Sequence, residues 1–175
     1  MRKLKNSELE RISVENFKSA EKTPIVVVLD NVRSALNVGS VFRTSDAFRI
    51  EKIYLCGITA TPPNKEIRKS ALGATQSMEW EKVEKTEDVV LKLKSNGCQI
   101  CAIEQADNSV MLNEFSVSEK PIAIIFGNEV NGVHQSVVNL CDSCIEIPQI
   151  GTKHSLNISV SVGVVLWDLF NKING

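Results

Sequence analysis

The chain has 175 residues, 43% of them hydrophobic, which suffices for one domain with a single sizeable core. Its formal net charge of −1 excludes a polycation that holds nucleic acid through its overall field, so any such binding needs a local basic patch. No apolar run approaches membrane-spanning length, and Met1 to Lys22 is polar and charged without a signal-peptide core, so a soluble, cytoplasmic protein is expected.

Residues 1–22 mix Arg2, Lys3, Lys5, Arg11, Lys18 and Lys22 with Glu8, Glu10, Glu15 and Glu21. Leu9, Ile12 and Phe17 form a weak apolar stripe, which predicts a short helix lying on the domain or leading into it. The charges read as a solvated face or as a basic arm that touches phosphate.

Ile25 to Leu29 is a continuous aliphatic run, β-branched as far as Val28, between Pro24 and Asp30-Asn31, as expected of a strand buried on both faces. After it, Val38, Val41, Phe42 and Ser45 recur at helical spacing, with Ser34 or Asn37 as cap and Arg43 off the apolar face. Ile53 to Cys56 predicts a second strand and Gly57 to Asn64 a loop. The cluster Lys65, Arg68 and Lys69 is either solvent-exposed charge or a phosphate contact. Met78 to Val83 reads as a half-buried strand, and Glu87 to Ser95 as an amphipathic helix stopped by Asn96-Gly97. Further strands are expected over Cys98 to Ile103 and Ile122 to Phe126, then a helix from Gln135 to Leu140 and a last strand over Cys144 to Ile147, stopped by Pro148. Strand and helix alternate, which predicts an α/β fold with a mostly parallel sheet covered by helices on both faces.

The last segment is ambiguous by pattern. Leu156, Ile158, Val160 and Val162 alternate with Asn157, Ser159, Ser161 and Gly163 as in a strand, but the segment runs to Phe170 without a turn signal. Length favours a helix, with Ser155 as its N-cap. Its apolar residues leave little solvent face, which predicts burial against the domain and against a second surface, another copy of the chain.

The cysteines comprise two CxxC pairs, Cys98/Cys101 and Cys141/Cys144, plus Cys56. Four thiolates satisfy tetrahedral zinc, but these pairs lie far apart on strand-like flanks, so buried free thiols are expected and no metal. The odd count argues against a disulfide framework. His134 and His154 are not spaced as metal ligands with any carboxylate or cysteine.

Three polar stretches follow buried strands: Asn31 to Arg43, Gly127 to Gly132, and Gln149 to Asn157. Parallel strands would bring such ends into one crevice, the usual ligand position in open α/β sheets. Gly127 permits close backbone approach, Glu129 supplies a carboxylate, and Ser155 and Asn157 supply hydroxyl and amide groups, a set suited to a small cofactor. The same residue types also serve as caps and turns. GxGxxG and Walker A signatures are absent.

Asn37-Val-Gly-Ser-Val-Phe-Arg43, Phe126-Gly-Asn-Glu-Val-Asn-Gly132 and Ile147-Pro-Gln-Ile-Gly-Thr-Lys-His-Ser-Leu-Asn-Ile-Ser-Val160 together resemble, in order and spacing, the three motifs of the SPOUT class of RNA methyltransferases, in the TrmH (SpoU) branch. The resemblance covers about residues 24–171. It implies a homodimer with a deep C-terminal trefoil knot that methylates ribose 2′-hydroxyls of tRNA or rRNA with S-adenosylmethionine. Under it, residues 1–23 are an N-terminal extension, expected to be helical, and residues 24–175 the methyltransferase domain.

By motif position the resemblance makes Arg43 the catalytic arginine, supported by Asn37, Glu129, Ser155 and Asn157. Gly127, Ile147, Leu156 and Asn157 are the implied cofactor contacts, joined by Ile103 and Glu104 at the fourth strand end. Arg33, Arg43, Lys65, Arg68, Lys69 and Lys153 are the candidates for RNA contact. Gln149 stands where the family commonly has methionine, a change expected to be neutral. No appended RNA-binding domain is expected, which leaves the means of target selection open. Two other readings stand beside this one: a non-catalytic SPOUT-like dimer that binds structured RNA, and an unknotted nucleotide-binding α/β enzyme.

Overall fold

The computed structural model describes residues 1–175. The apolar runs form seven strands: β1 (Thr23–Asp30), β2 (Ile50–Cys56), β3 (Trp80–Val83), β4 (Gln99–Ile103), β5 (Val110–Met111), β6 (Ile122–Phe126) and β7 (Ser143–Glu146). They make one sheet in the order β3-β2-β1-β6-β4-β7-β5, and every neighbouring pair is parallel. The central strands β1 and β6 are almost wholly buried, which is why their sequences are continuous aliphatic runs rather than alternating ones.

The helices are α1 (Val14–Ser19), α2 (Ala35–Ala47), α3 (Lys65–Ala71), α4 (Ala74–Ser77), α5 (Thr86–Ser95), α6 (Gln135–Val138) and α7 (Ile158–Asn174). One face of the sheet packs against α1, α2, α3, α4 and α7 through Phe17, Val38, Val41, Phe42, Ile67, Val162, Val165 and Leu166. The other packs against α5 and α6 through Val89, Val90, Leu93 and Val137. The first cluster holds 27 buried residues and the second 13, so the weight of the core lies under α2 and α7. Each such aliphatic side chain contributes about 1.5–3 kcal/mol by leaving water.

Residues 156–170 settle as a helix from Ile158, because a buried stripe of Ile158, Val162, Val165, Leu166 and Leu169 recurs at helical spacing. Its N-cap is Asn157, not Ser155: the Asn157 carboxamide oxygen accepts from the Ser159 N–H at 2.9 Å and the Ser159 hydroxyl at 2.7 Å. At α2 the cap is Ser34, whose hydroxyl accepts from the Asn37 N–H. Met78, expected to open a strand, is instead a buried residue capping α4, and α6 is two residues shorter than the pattern from Gln135 to Leu140 implied. Helices α3 and α4 and the two-residue edge strand β5 were not anticipated.

At the amino end, Asn6–Glu8 forms a 3-10 turn and α1 buries Phe17, while residues 1–13 are exposed. All five cysteines are free thiols. Burial pushes Cys56 up to about 12 and Cys101 up to about 11, so both stay protonated and unreactive at neutral pH.

Candidate active site

Because the strands run in parallel, the loops that leave β1, β6 and β7 emerge on the same edge of the sheet. The β1 end is fixed first. Buried Asp30 accepts from the Thr86 hydroxyl at 2.6 Å, the His134 N–H at 2.9 Å and the Asn31 amide at 2.8 Å, tying β1 to the loop after β6. Asn31 sits at φ 57, a left-handed conformation that asparagine tolerates, and this turns the chain toward α2. The Asn128 amide donates to the Asn31 carbonyl at 2.8 Å and joins the two loops directly.

Glu129 makes the principal junction. Its carboxylate accepts from the N–H groups of Arg33 and Ser34 at 2.9 and 3.0 Å and from the Asn37 amide at 3.1 Å. It therefore occupies the amino end of α2, where unpaired N–H groups and the helix dipole favour an anion. Partial burial pushes its pKa up, but the donors from Arg33, Ser34, its own backbone and Asn37 outweigh this and hold it below the ordinary carboxylate value. Glu129 is thus an ionised clamp whose lone pairs are committed to the fold. On the other side of Asn37, its carbonyl oxygen accepts from the Asn157 amide at 3.3 Å, so the first residue before α7 joins the same cluster.

Next to this junction lies a cavity of about 580 Å³, lined by residues at the ends of β4, β6 and β7. Ile103, Glu104, Gly127, Ile147, Leu156 and Asn157 all line it, as do Glu129 and Ser155. Gly127 is required where the loop folds back on itself: a Cβ there would lie 2.0 Å from the Gly132 carbonyl carbon and from the Val133 nitrogen. The walls carry the carboxylates of Glu104, Glu129 and Glu146 and no lysine or arginine. Such walls suit a ligand with positive charge and are unsuited to a phosphorylated one.

The remaining candidates lie apart from the cavity. Arg43 is exposed on α2, two turns beyond Asn37, and does not line the cavity. Arg33 projects beside the amino end of α2, Lys153 lies in the exposed loop before α7, and Lys65, Arg68 and Lys69 are exposed on α3. None of these cations is held in an ion pair. Helix α3 crosses α2 at Gly39, where the Ser70 hydroxyl donates to the Leu36 carbonyl at 2.9 Å, so the basic helix rides on the helix that carries Arg43.

Sequence reasoning missed Asn128, Gln105, Glu146 and His154. Gln105 donates to the His154 carbonyl at 3.1 Å, drawing the loop before α7 to the cavity mouth, and Glu146 accepts from the Ser109 hydroxyl at 2.7 Å. Asn128 and His154 lay within quoted motifs and were legible by position; Gln105 and Glu146 had no signal beyond standing near strand ends.

A family model described as SpoU rRNA Methylase family matches residues 24–167. The chain belongs to this family. The match contains the whole junction of Asn37, Glu129 and Asn157 and the cavity walls. Among SpoU relatives, the tRNA (guanosine(18)-2'-O)-methyltransferase of Escherichia coli strain K12 is 32% identical over 147 residues, which is 82% of this chain and 62% of that protein. The chain spans slightly less than two thirds of the length of several of its curated relatives. Among solved SpoU structures, the Aquifex aeolicus TrmH/SpoU tRNA modifying enzyme superposes with a TM-score of 0.80 at 29% identity, covering 91% of this chain and 79% of that one. The AdoMet-bound rRNA methyltransferase of Sinorhizobium meliloti does so with a TM-score of 0.79 at 27% identity, covering 87% of this chain and 58% of that one.

Proposed function

We propose that this protein is an S-adenosylmethionine-dependent RNA methyltransferase that acts on a ribose 2′-hydroxyl of tRNA or rRNA, as a homodimer whose carboxyl-terminal segment closes a deep trefoil knot. Residues 24–175 are its catalytic domain and residues 1–23 an extension. The observation that carries the reading is the cavity at the ends of β4, β6 and β7, which adjoins the Asn37–Glu129–Asn157 junction.

The walls fit the cofactor. A cavity of about 580 Å³ accommodates an adenosyl group with its amino-acid tail, and three carboxylates without a facing lysine or arginine favour a cationic ligand. Ile103, Gly127, Ile147 and Leu156 would hold the adenosine through backbone and apolar contacts, with Glu104 and Asn157 as polar partners. S-adenosylmethionine, when bound, supplies a methyl group on positively charged sulfur. The nucleotide-binding alternative is disfavoured by the lack of any lysine or arginine on these walls.

The chain's own part is positioning and electrostatics. Glu129 fixes the start of α2, and α2 carries Arg43 toward the surface that Lys65, Arg68 and Lys69 make basic. Arginine is a poor base because its guanidinium stays protonated. Arg43 therefore clamps the phosphate beside the target ribose and stabilises negative charge growing on the 2′-oxygen. The loop before α7 is drawn to the cavity mouth by Gln105, whose side-chain amide donates to the His154 carbonyl.

Replacing Arg43 with alanine tests the assignment. The variant is expected to bind S-adenosylmethionine like the unaltered protein in calorimetry and to lose at least about 100-fold in methyl transfer to total tRNA or rRNA. Retained turnover removes Arg43 from the mechanism. The target nucleotide follows from 2′-O-methyl maps of RNA from cells with and without the gene.

A further inference from the structure

The loop between β6 and α6 reaches the site in two directions at once, and one side chain outside the three motifs holds it in place. Glu104, at the end of β4, accepts from the Val133 N–H through Oε1 at 2.6 Å. The same oxygen packs against Gly132, where a Cβ would lie only 2.2 Å away, and Gly132 holds φ +68. The turn it grips is stiff. Asn128 and Gly132 exchange backbone hydrogen bonds at 3.0 and 2.8 Å, and the Asn128 side chain accepts from the N–H groups of Val130 and Asn131.

A stiff turn moves as a unit. Its inner edge, Gly127 to Gly132, forms a wall of the cavity, and its outer edge carries Glu129, which holds the N–H groups of Arg33 and Ser34 and the Asn37 amide. The second oxygen of Glu104 takes no hydrogen bond from the chain, and the residue lines the cavity.

We propose that Glu104 is a positioning residue: its hydrogen bond to Val133 sets the β6–α6 turn, and through Glu129 it aligns the start of the Arg43 helix with the cofactor cavity. The inference rests on the methyltransferase reading and gives Glu104 a second role beside its place in the cavity wall, one that reaches the Arg43 helix only through the turn. What Val133 needs is an acceptor in the right place, so the amide oxygen of glutamine serves nearly as well as the carboxylate.

The test compares Glu104→Gln with Glu104→Ala in the full chain, with folding checked by thermal melting and all measurements made well below the melting point. Three quantities are read: S-adenosylmethionine affinity by calorimetry, kcat against KM for RNA, and amide hydrogen exchange at Val133, Arg33 and Ser34. Glu104→Ala is expected to weaken cofactor binding about tenfold, lower kcat by a similar factor with KM for RNA unchanged, and speed exchange at all three amides. Glu104→Gln keeps an acceptor for the Val133 N–H and is expected to return exchange at all three amides to within about threefold of the unaltered protein, whatever the lost charge does to cofactor affinity. A purely structural role would lower the melting temperature of Glu104→Ala and leave the exchange of Arg33 and Ser34 alone, and that result overturns the proposal. So does a Glu104→Gln protein whose three amides exchange as fast as those of Glu104→Ala, because an acceptor at Val133 would then not be what holds the turn. Failure of the unaltered protein to bind S-adenosylmethionine overturns the cofactor reading itself and is distinguished by that arm alone.

Discussion

Glu129 makes no ion pair, yet its carboxylate holds the amino end of α2 through the N–H groups of Arg33 and Ser34 and the Asn37 amide. Its three donors hold it ionised, and the sign of the resulting pH dependence follows. The folded-state pKa lies below the ordinary 4.5, so the stabilisation is complete above that pH and is lost as pH falls through the lower, folded-state value. In Glu129→Gln an amide NH₂ group must face an N–H group of Arg33 or Ser34, which costs about 1 kcal/mol, the scale of a lost helix cap. Melting curves of the two proteins should differ at neutral pH and converge in acid, once the pH has fallen through the lowered folded-state value and the native carboxylate is protonated. A difference that persists unchanged in acid would mean that Glu129 contributes shape and not charge.

The contact between α2 and α3 is where the helices set both stability and the geometry of the basic surface. Alanine normally improves a helical glycine by about 1 kcal/mol. At Gly39 the opposite is expected, since a Cβ would stand 2.1 Å from the Ser70 hydroxyl and 2.4 Å from the Ile67 carbonyl, which is backbone and cannot swing away. Gly39→Ala should therefore cost about 1–3 kcal/mol and shift α3 with Lys65, Arg68 and Lys69. Denaturant unfolding reads the cost, and RNA retention at rising salt reads the shift. A variant with unchanged stability would show that α3 rides loosely on α2.

What the sequence reveals at this scale follows from how each element is stabilised. Buried central strands advertise themselves as aliphatic runs, so β1 and β6 were legible, and α7 was recovered once length was weighed against its misleading alternation. Helices α3 and α4 are short, split at Leu72 in a left-handed turn, and held by packing on α2, so their sequence reads as a charged loop. Asn37, Glu129 and Asn157 could be brought together in advance because parallel strands converge their ends. The bonds Glu104–Val133 and Gln105–His154 could not, since each depends on the exact path of a loop.

At the scale of the whole molecule, α7 buries one face in the core and leaves Val160, Val164 and Trp167 on the other, 52%, 39% and 57% exposed. These positions recur at four and three residues, so they form one apolar stripe along the helix that bears the cofactor loop. Monomeric proteins seldom leave such a stripe in water. Association through it would dock α7 against a second copy and brace Asn157, which caps that helix and holds Asn37. Val164→Glu places a charge in the middle of the stripe while the core side of the helix, Leu166 and Leu169, is untouched. Light scattering should then report a mass falling from twice 19.3 kDa to 19.3 kDa, with the melting temperature losing its dependence on protein concentration. If the unaltered protein already measures 19.3 kDa at micromolar concentration, the stripe is not a dimer interface and the bracing of Asn157 has to come from α7 alone.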